Sequence, residues 1–177
     1  MDFLEVVEKR KSVRRYADRP GEREVLEAIV KVAQTAPSSR NSKSSAFMIL
    51  EDRDTLNALS QMRDYGASPL KRAQAAIVVM GDSEASPMWE INAALMTNTL
   101  QLALVDQGFA SCWVHVGEYR TIGDDPTSQR SEDYVKEVLP EIPAAYRILC
   151  VVGIGYADYT PKPLPEYDGP ERLLFVK

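Results

Sequence analysis

The sequence predicts an α+β fold in which one central mixed sheet carries helices on its faces, and three observations support this. Strand-like apolar runs are interspersed with helical patterns and joined by connections of unequal length, which suits a sheet packed under helices. One helical stretch, between Ser86 and Gly108, is long and apolar nearly all round. No repeat, linker or low-complexity block divides the 177 residues, so a single domain over residues 1–177 is expected, large enough for a real core.

Phe3, Leu4, Val6 and Val7 fit a short amphipathic helix ending near Arg10, where RKSVRRY breaks the apolar pattern. Val25, Ile29, Val32 and Ala33 recur at helical spacing from about Glu22 to Thr35; Pro37 stops that helix, and APSSRNSKSS follows as a polar loop. Ala46 to Glu51 reads as a strand, with Asp52 capping a helix through about Met62. Tyr65 to Lys71 is a connection containing Gly66 and Pro69, and Ala75–Gly81 is a buried strand. The long helix then opens with Ser86 as cap and Pro87 at its first position, and Gly108 closes it in the left-handed conformation. Ala110–Val116 is the next strand, Arg120 to Gln129 a polar loop, and Ser131 caps a helix to Leu139 that Pro140 and Pro143 end. Tyr146–Ile154 is the last strong strand. Pro161, Pro163, Pro165 and Pro170 mark an extended tail, whose RLLFVK could add an edge strand here or in a partner.

The long helix is the element that sets the architecture. Glu90, Asn92, Asn98, Gln101 and Asp106 interrupt it too often for lipid, so it is a buried helix rather than a membrane span. A chain this short can hardly wrap it completely, and a second subunit across a two-fold axis is the economical cover. Apolar residues at 45% and charged ones at 27% are ordinary for a soluble protein, and a net charge of −5 argues against a general nucleic-acid or membrane-surface role. The start MDFLEVVEKR, charged from its second residue, has no signal-peptide pattern. Cys112 and Cys150 sit in strand-like runs and are expected to be reduced, which points to a cytoplasmic protein. One histidine and no Cys/His cluster leave no metal signature.

Two stretches could carry chemistry. Arg10, Lys11, Arg14 and Arg15 bracket Ser12, giving guanidinium forks and a hydroxyl that suit a phosphate. A solvated basic turn, a nucleic-acid contact or phosphorylation of Ser12 are alternatives at this level. The Pro37-Ser38-Ser39-Arg40-Asn41 loop offers hydroxyls, an amide and free backbone groups that could bond a heterocycle, although serine and asparagine also fill ordinary loops. His115 ends an apolar strand, where a structural role competes with that of a general acid, and Cys112 beside Trp113 lacks the base a nucleophile needs.

Together these stretches resemble the nitroreductase family of flavin mononucleotide (FMN) enzymes. An N-terminal helix runs into R-[RHK]-S-x-R-x-[FY], here RKSVRRY. An A-P-S-S-x-N loop follows at Ala36 to Asn41, then a long helix, then G-x-x-S-x-W at Gly108 to Trp113, and finally an apolar strand closing in Gly155-Tyr156. The resemblance implies an intertwined homodimer with two FMN sites at the interface. It places Arg10, Lys11, Ser12 and Arg14 on the phosphate and the polar edge of the flavin, and brings Pro37, Ser38, Ser39 and Asn41 from the other subunit. Backbone around Trp113, Val114 and His115 would lie along the ring, and Lys162, in competition with Arg172, would complete the phosphate site.

The implied activity is transfer of hydride from NADH or NADPH to FMN and on to a small planar acceptor, such as a nitroaromatic or a quinone, by a ping-pong mechanism. No side-chain catalyst is needed, and Arg14 supplies electrostatic support. FMN is expected over FAD because the cations are grouped at one phosphate-sized spot and no G-x-G-x-x-G helix start is present. The chain departs from the family where N-x-Q-P-W is common and Asn41-Ser42-Lys43-Ser44-Ser45 stands instead, and its length leaves little room for a lid. Dehalogenation or metabolite oxidation on the same fold, and non-catalytic flavin binding or redox sensing, are the competing readings.

Overall fold

A computed structural model describes residues 1–121, 127–163 and 165. Its helices are α1 (Phe3–Lys9), α2 (Arg23–Ala33), α3 (Arg53–Leu59), α4 (Trp89–Asp106) and α5 (Ser131–Val138). Its strands are β1 (Ser45–Leu50), β2 (Ala75–Asp82), β3 (Ala110–His115) and β4 (Tyr146–Gly155), and short 3-10 turns lie at Ser39–Asn41 and Ser68–Arg72. The tail's RLLFVK lies outside the described residues.

The strands are ordered β1-β2-β4-β3, and each neighbouring pair is antiparallel. This corrects the expected mixed sheet. β2 and β3, joined through α4, do run parallel, but β4 inserts between them and is antiparallel to both. Among the described residues, parallel pairing is confined to the isolated bridge of Ser12 with Ser111.

The two central strands are apolar without alternation because both faces are covered. Val78, Met80 and Val151 pack with Leu56, Leu59, Met62 and Val135, from the α3 and α5 side. Ile77, Val79, Val152 and Ile154 pack with Leu26, Ile29, Leu100 and Leu104 of α2 and α4 on the other side.

Local chemistry places the helix ends, in part differently from expectation. Asp2 caps α1 by accepting from Glu5 N at 3.0 Å, and the Glu5 carboxylate accepts from Asp2 N at 3.2 Å. Asp52 caps α3 as expected, accepting from Thr55 Oγ1 and N at 2.7 Å each, and these bonds hold its carboxyl below the usual range. Helix α4 starts at Trp89, with Met88 in the cap position, so Pro87 lies outside it. The Ser86 hydroxyl does accept from Met88 N at 3.2 Å, but it is buried and also meets Asn92 Nδ2 at 3.4 Å. Gly108 follows the helix at φ 80°, as expected. Ser131 is not a cap. It is the first helical residue of α5, with Arg130 in the cap position, and its hydroxyl is buried without a partner.

Helix α4 is covered on one side only. Met88, Ile91 and Leu95 are 41%, 52% and 44% exposed, and Phe3 and Leu4 of α1 are more open still at 70% and 71%. A groove of about 730 Å³ runs between α1, α2 and α4, lined by Phe3, Val25, Val32 and Leu102 among others. Among the described residues, no helix is long and apolar enough to cross a membrane.

The segment after α1 is an arm stitched to the sheet. Val13 N donates to Ser111 O at 2.9 Å and Ala17 N to Tyr156 O at 2.8 Å. The buried Tyr16 hydroxyl lies 2.8 Å from Val13 O and 3.1 Å from Gly153 O, and burial pushes its pKa well above the ordinary phenol range. The Tyr16 ring lies on Gly155, where a Cβ would come within 2.8 to 2.9 Å of Cδ1, Cβ and Cγ. Gly155→Ala should therefore displace Tyr16 and destabilise the fold by about 1–3 kcal/mol. Urea unfolding measures this, and an unchanged midpoint would show that the arm is not anchored through this contact.

Candidate functional site

Along the arm, Val13 and Tyr16 turn inward and the two arginines between them turn outward. Val13 and Tyr16 are buried, whereas Arg15 turns to Asp158, with Nε 3.3 Å from Oδ1, and lies over the Tyr159 ring at 4.9 Å. Arg14 instead donates from Nη1 to Ser12 O at 3.2 Å and lines a cavity of about 510 Å³ beside β3. Cys112, Trp113, Val114 and His115 form one wall of that cavity, and Arg63, Tyr65, Gly66, Ser68 and Pro69, from the connection between α3 and β2, form the other.

Among the described residues, β3 is an edge strand, which leaves part of its backbone open to a ligand. Val116 N donates to Leu149 O, toward β4, whereas Ser111 O faces the arm and accepts from Val13 N. Strand alternation then turns the N–H and C=O groups of Trp113 and His115 away from β4. A flat heteroaromatic group in the cavity would meet a row of main-chain donors and acceptors, with the Arg14 charge at one side.

No nucleophile is prepared in this cavity. Burial raises the Cys112 thiol above its ordinary pKa, and the nearby Arg14 charge offsets this only in part. Cys150 is pushed up to about 12 by burial, with Thr97 Oγ1 3.8 Å from its sulfur. Both cysteines are free.

The structure therefore brings together Arg14, Trp113, Val114 and His115. Arg10, Lys11 and Ser12 lie on the same arm but do not line this cavity. Arg10 is the C-cap of α1, Ser12 bridges to Ser111, and Lys11 Nζ donates to Lys162 O at 2.6 Å. That bond sets Lys162 beside the arm, through its carbonyl. Arg172 lies outside the described residues.

Pro37, Ser38, Ser39 and Asn41 do not line this chain's cavity either. Their loop rests on the N-terminal half of α4 through Asn92, a buried residue inside the helix. Asn92 Oδ1 accepts from Ser39 N at 2.8 Å, and Nδ2 lies 3.2, 3.1 and 3.4 Å from the hydroxyls of Ser42, Ser44 and Ser86. Lys43 N donates to Ser38 Oγ at 3.1 Å. Arg40, Asn41 and Lys43 are held at positive φ of 53°, 53° and 49°, a conformation that persists only where the surroundings enforce it.

Sequence reasoning missed Arg63, Tyr65 and Ser68, taking that segment for a plain connection. Its signal was a Gly66 turn, at φ 90°, followed by Pro69. Asn92 was visible only as an interruption of an apolar helix.

A buried antiparallel sheet under helices, with a basic arm and a cavity along its edge strand, is the architecture of an α+β oxidoreductase class that recurs in solved structures. The FMN-dependent nitroreductase from Clostridium difficile R20291 superposes with a TM-score of 0.87 at 33% identity, over 97% of this chain and 98% of that one. A nitroreductase with bound FMN from Bacteroides fragilis NCTC 9343 shares the fold at a TM-score of 0.77 and 20% identity, over 100% of both chains. An Archaeoglobus fulgidus protein, provisionally named NADH dehydrogenase/NAD(P)H nitroreductase, is 32% identical over 88% of this chain and 85% of its own. The chain belongs to the nitroreductase family, whose sequence model matches residues 7–84 and 56–156.

The Asn92 network generates a prediction. Asn92→Ala should cost about 1–3 kcal/mol of stability, since it leaves the Ser39 N–H and the hydroxyls of Ser42, Ser44 and Ser86 short of a partner. The loop should then open to trypsin at Arg40 and Lys43. Unfolding curves and cleavage rates that match the parent protein would show that Asn92 does not hold the loop.

Proposed function

We propose that the protein is an FMN-dependent oxidoreductase that accepts hydride from NADH or NADPH and reduces small planar acceptors, such as nitroaromatics or quinones. The observation that carries this reading is the meeting of Arg14 with the unpaired backbone edge of Trp113 and His115 in one cavity of about 510 Å³. That volume suits a cofactor-sized ligand. FMN, when bound, supplies the redox chemistry.

The chain's own residues place the cofactor. Main chain at Trp113, Val114 and His115 lines the ring, Arg14 gives positive charge to its polar edge, and Arg10, Lys11, Ser12 and Lys162 attend the phosphate. Donor and acceptor would use the open face in turn, which gives ping-pong kinetics. The raised Cys112 thiol fits a site without a protein nucleophile.

The working unit in this reading is a homodimer with both sites at the interface. Two observations support it: the serine loop does not reach its own chain's cavity, and Met88, Ile91 and Leu95 stand exposed on the helix that carries the loop. Pro37, Ser38, Ser39 and Asn41 would then serve the partner's cavity. Free cysteines agree with a cytoplasmic setting.

Arg14 and Arg15 provide the test, because the motif selects Arg14 and the two side chains go to different places. Arg14→Ala should lose about 1.5–3 kcal/mol of FMN affinity, roughly ten- to a hundred-fold, for a charge-assisted contact. Arg15→Ala should lose little, since Arg15 is engaged with Asp158. Fluorescence titration of folded apo-protein reads both values, and equal affinities for the parent and Arg14→Ala would overturn the assignment. A flavin-loaded monomer in light scattering would overturn the shared-site arrangement.

A further inference from the structure

We propose that a second cavity, lined by polar and charged residues and adjoining the first, receives an anionic group, carboxylate or phosphate, of the molecule that reacts at the Arg14 cavity. The inference rests on the flavin reading above and specifies the chemistry of its substrate. The second cavity measures about 450 Å³ and shares Arg63, Asp64 and Ser68 with the first. Its remaining lining is Ser60, Gln61, Lys71 and Arg120, so no apolar side chain faces it. A charged substituent has donors on several sides there.

The charges are arranged for an anion. Three cations, Arg63, Lys71 and Arg120, meet one carboxylate, Asp64, in a chain whose acidic residues outnumber its basic ones by 26 to 21. Among the described residues, none of the three forms an ion pair, although Arg15, Arg23, Arg130, Lys136 and Arg147 all do.

The three cations are also held in different ways. Arg120 is fixed: Nε and Nη2 donate to Gln61 O at 3.2 and 2.7 Å, Nη1 donates to Gln129 Oε1 at 3.3 Å, and the guanidinium lies over Tyr134 at 4.1 Å. Arg63 packs against Gly117, where a Cβ would fall 2.6 to 2.9 Å from Cζ, Nη1 and Nε. Its Nε is buried without a hydrogen-bond partner. A buried donor without an acceptor is costly, and an incoming oxyanion would supply acceptors to that guanidinium group. Lys71 is exposed and extends over the cavity as an adjustable charge.

A carboxylate on an aromatic acceptor and the 2′-phosphate of NADPH present the same chemistry here, and two probes separate them. Flavin-loaded protein and its Lys71→Glu variant are titrated calorimetrically with 4-nitrobenzoate and with adenosine 2′,5′-bisphosphate. KM is then measured for 4-nitrobenzoate and for NADPH against NADH. Lys71 makes no side-chain contact that the fold needs, so the variant should fold.

Charge reversal should weaken one probe about tenfold and raise the matching KM with little change in kcat, as for a partly exposed ion contact. The affected probe names the source of the anion. Probes that bind parent and variant equally, or bind neither, would overturn the proposal. FMN retention, and flavin reduction by the uncharged donor 1-benzyl-1,4-dihydronicotinamide, report separately on the flavin reading. Protein without FMN would overturn that reading and the substrate assignment with it, whereas flavin-loaded protein indifferent to the charge at residue 71 would overturn the anion site alone.

Discussion

The insertion of β4 between β2 and β3 leaves β3, among the described residues, with one edge outside the sheet, and the arrangement of the site depends on that edge. An open strand edge invites unwanted pairing, so it must be covered or used. Both happen here. The arm after α1 covers the start of β3 through the Val13 N to Ser111 O bond and the Ser12 bridge, and it stops short of Trp113 and His115. Tyr16 then anchors the arm over Gly155, so the last residues of β4 determine where the first cations of the chain stand. Val13 and Tyr16 are buried, so Arg14 and Arg15 between them turn outward, Arg14 to the cavity and Arg15 to Asp158.

This dependence explains what could be read from the sequence. Unbroken apolar runs in β2 and β4 announced burial on both faces, and Gly108 announced the end of α4, since each is a local property of the chain. The basic run from Arg10 to Arg15 was visible and its motif singled out Arg14, but the reason Arg14 and not Arg15 faces the cavity lies in an arm that pairs with a distant strand and in the Asp158 partner of Arg15. Strand order was not legible, because hydrophobic patterning reports burial and not neighbours. A strand–helix–strand succession such as β2–α4–β3 allows a parallel pair, and the late arrival of β4 between the two strands removes it. Ser86 and Ser131 misled for a related reason. A serine before a helix is a cap only if its hydroxyl is free for the backbone, and here one hydroxyl is shared with Asn92 and the other is buried in the core.

Helix α4 links the two halves of the proposed site. Its buried Asn92 holds the serine loop, and Met88, Ile91 and Leu95, at helical spacing around that residue, form an exposed apolar stripe. Each such side chain gains about 1.5–3 kcal/mol when fully removed from water. In the proposed dimer, the surface gaining most from cover adjoins the loop that has no cavity in its own chain. Subunit association and completion of the flavin site would then be one event, and the positive-φ residues Arg40, Asn41 and Lys43 would be held ready for it by Asn92.

The distribution of cations follows the same logic. An acidic chain can pair many of its arginines internally, and Arg15, Arg23, Arg130 and Arg147 are so used. On an open helix an unpaired cation is merely solvated and carries no message. Within a cavity the case differs, because walls of low polarisability and a reduced share of water strengthen every charge that remains. Arg14 and Arg63 occupy such positions in adjoining cavities, and among the described residues neither is matched by a carboxylate. Pairing them inside the protein would have been possible in a chain with a surplus of acids. Their unpaired state keeps an attraction available to ligands, which in the proposed reading would be the cofactor for Arg14 and the molecule reacting with it for Arg63, Lys71 and Arg120.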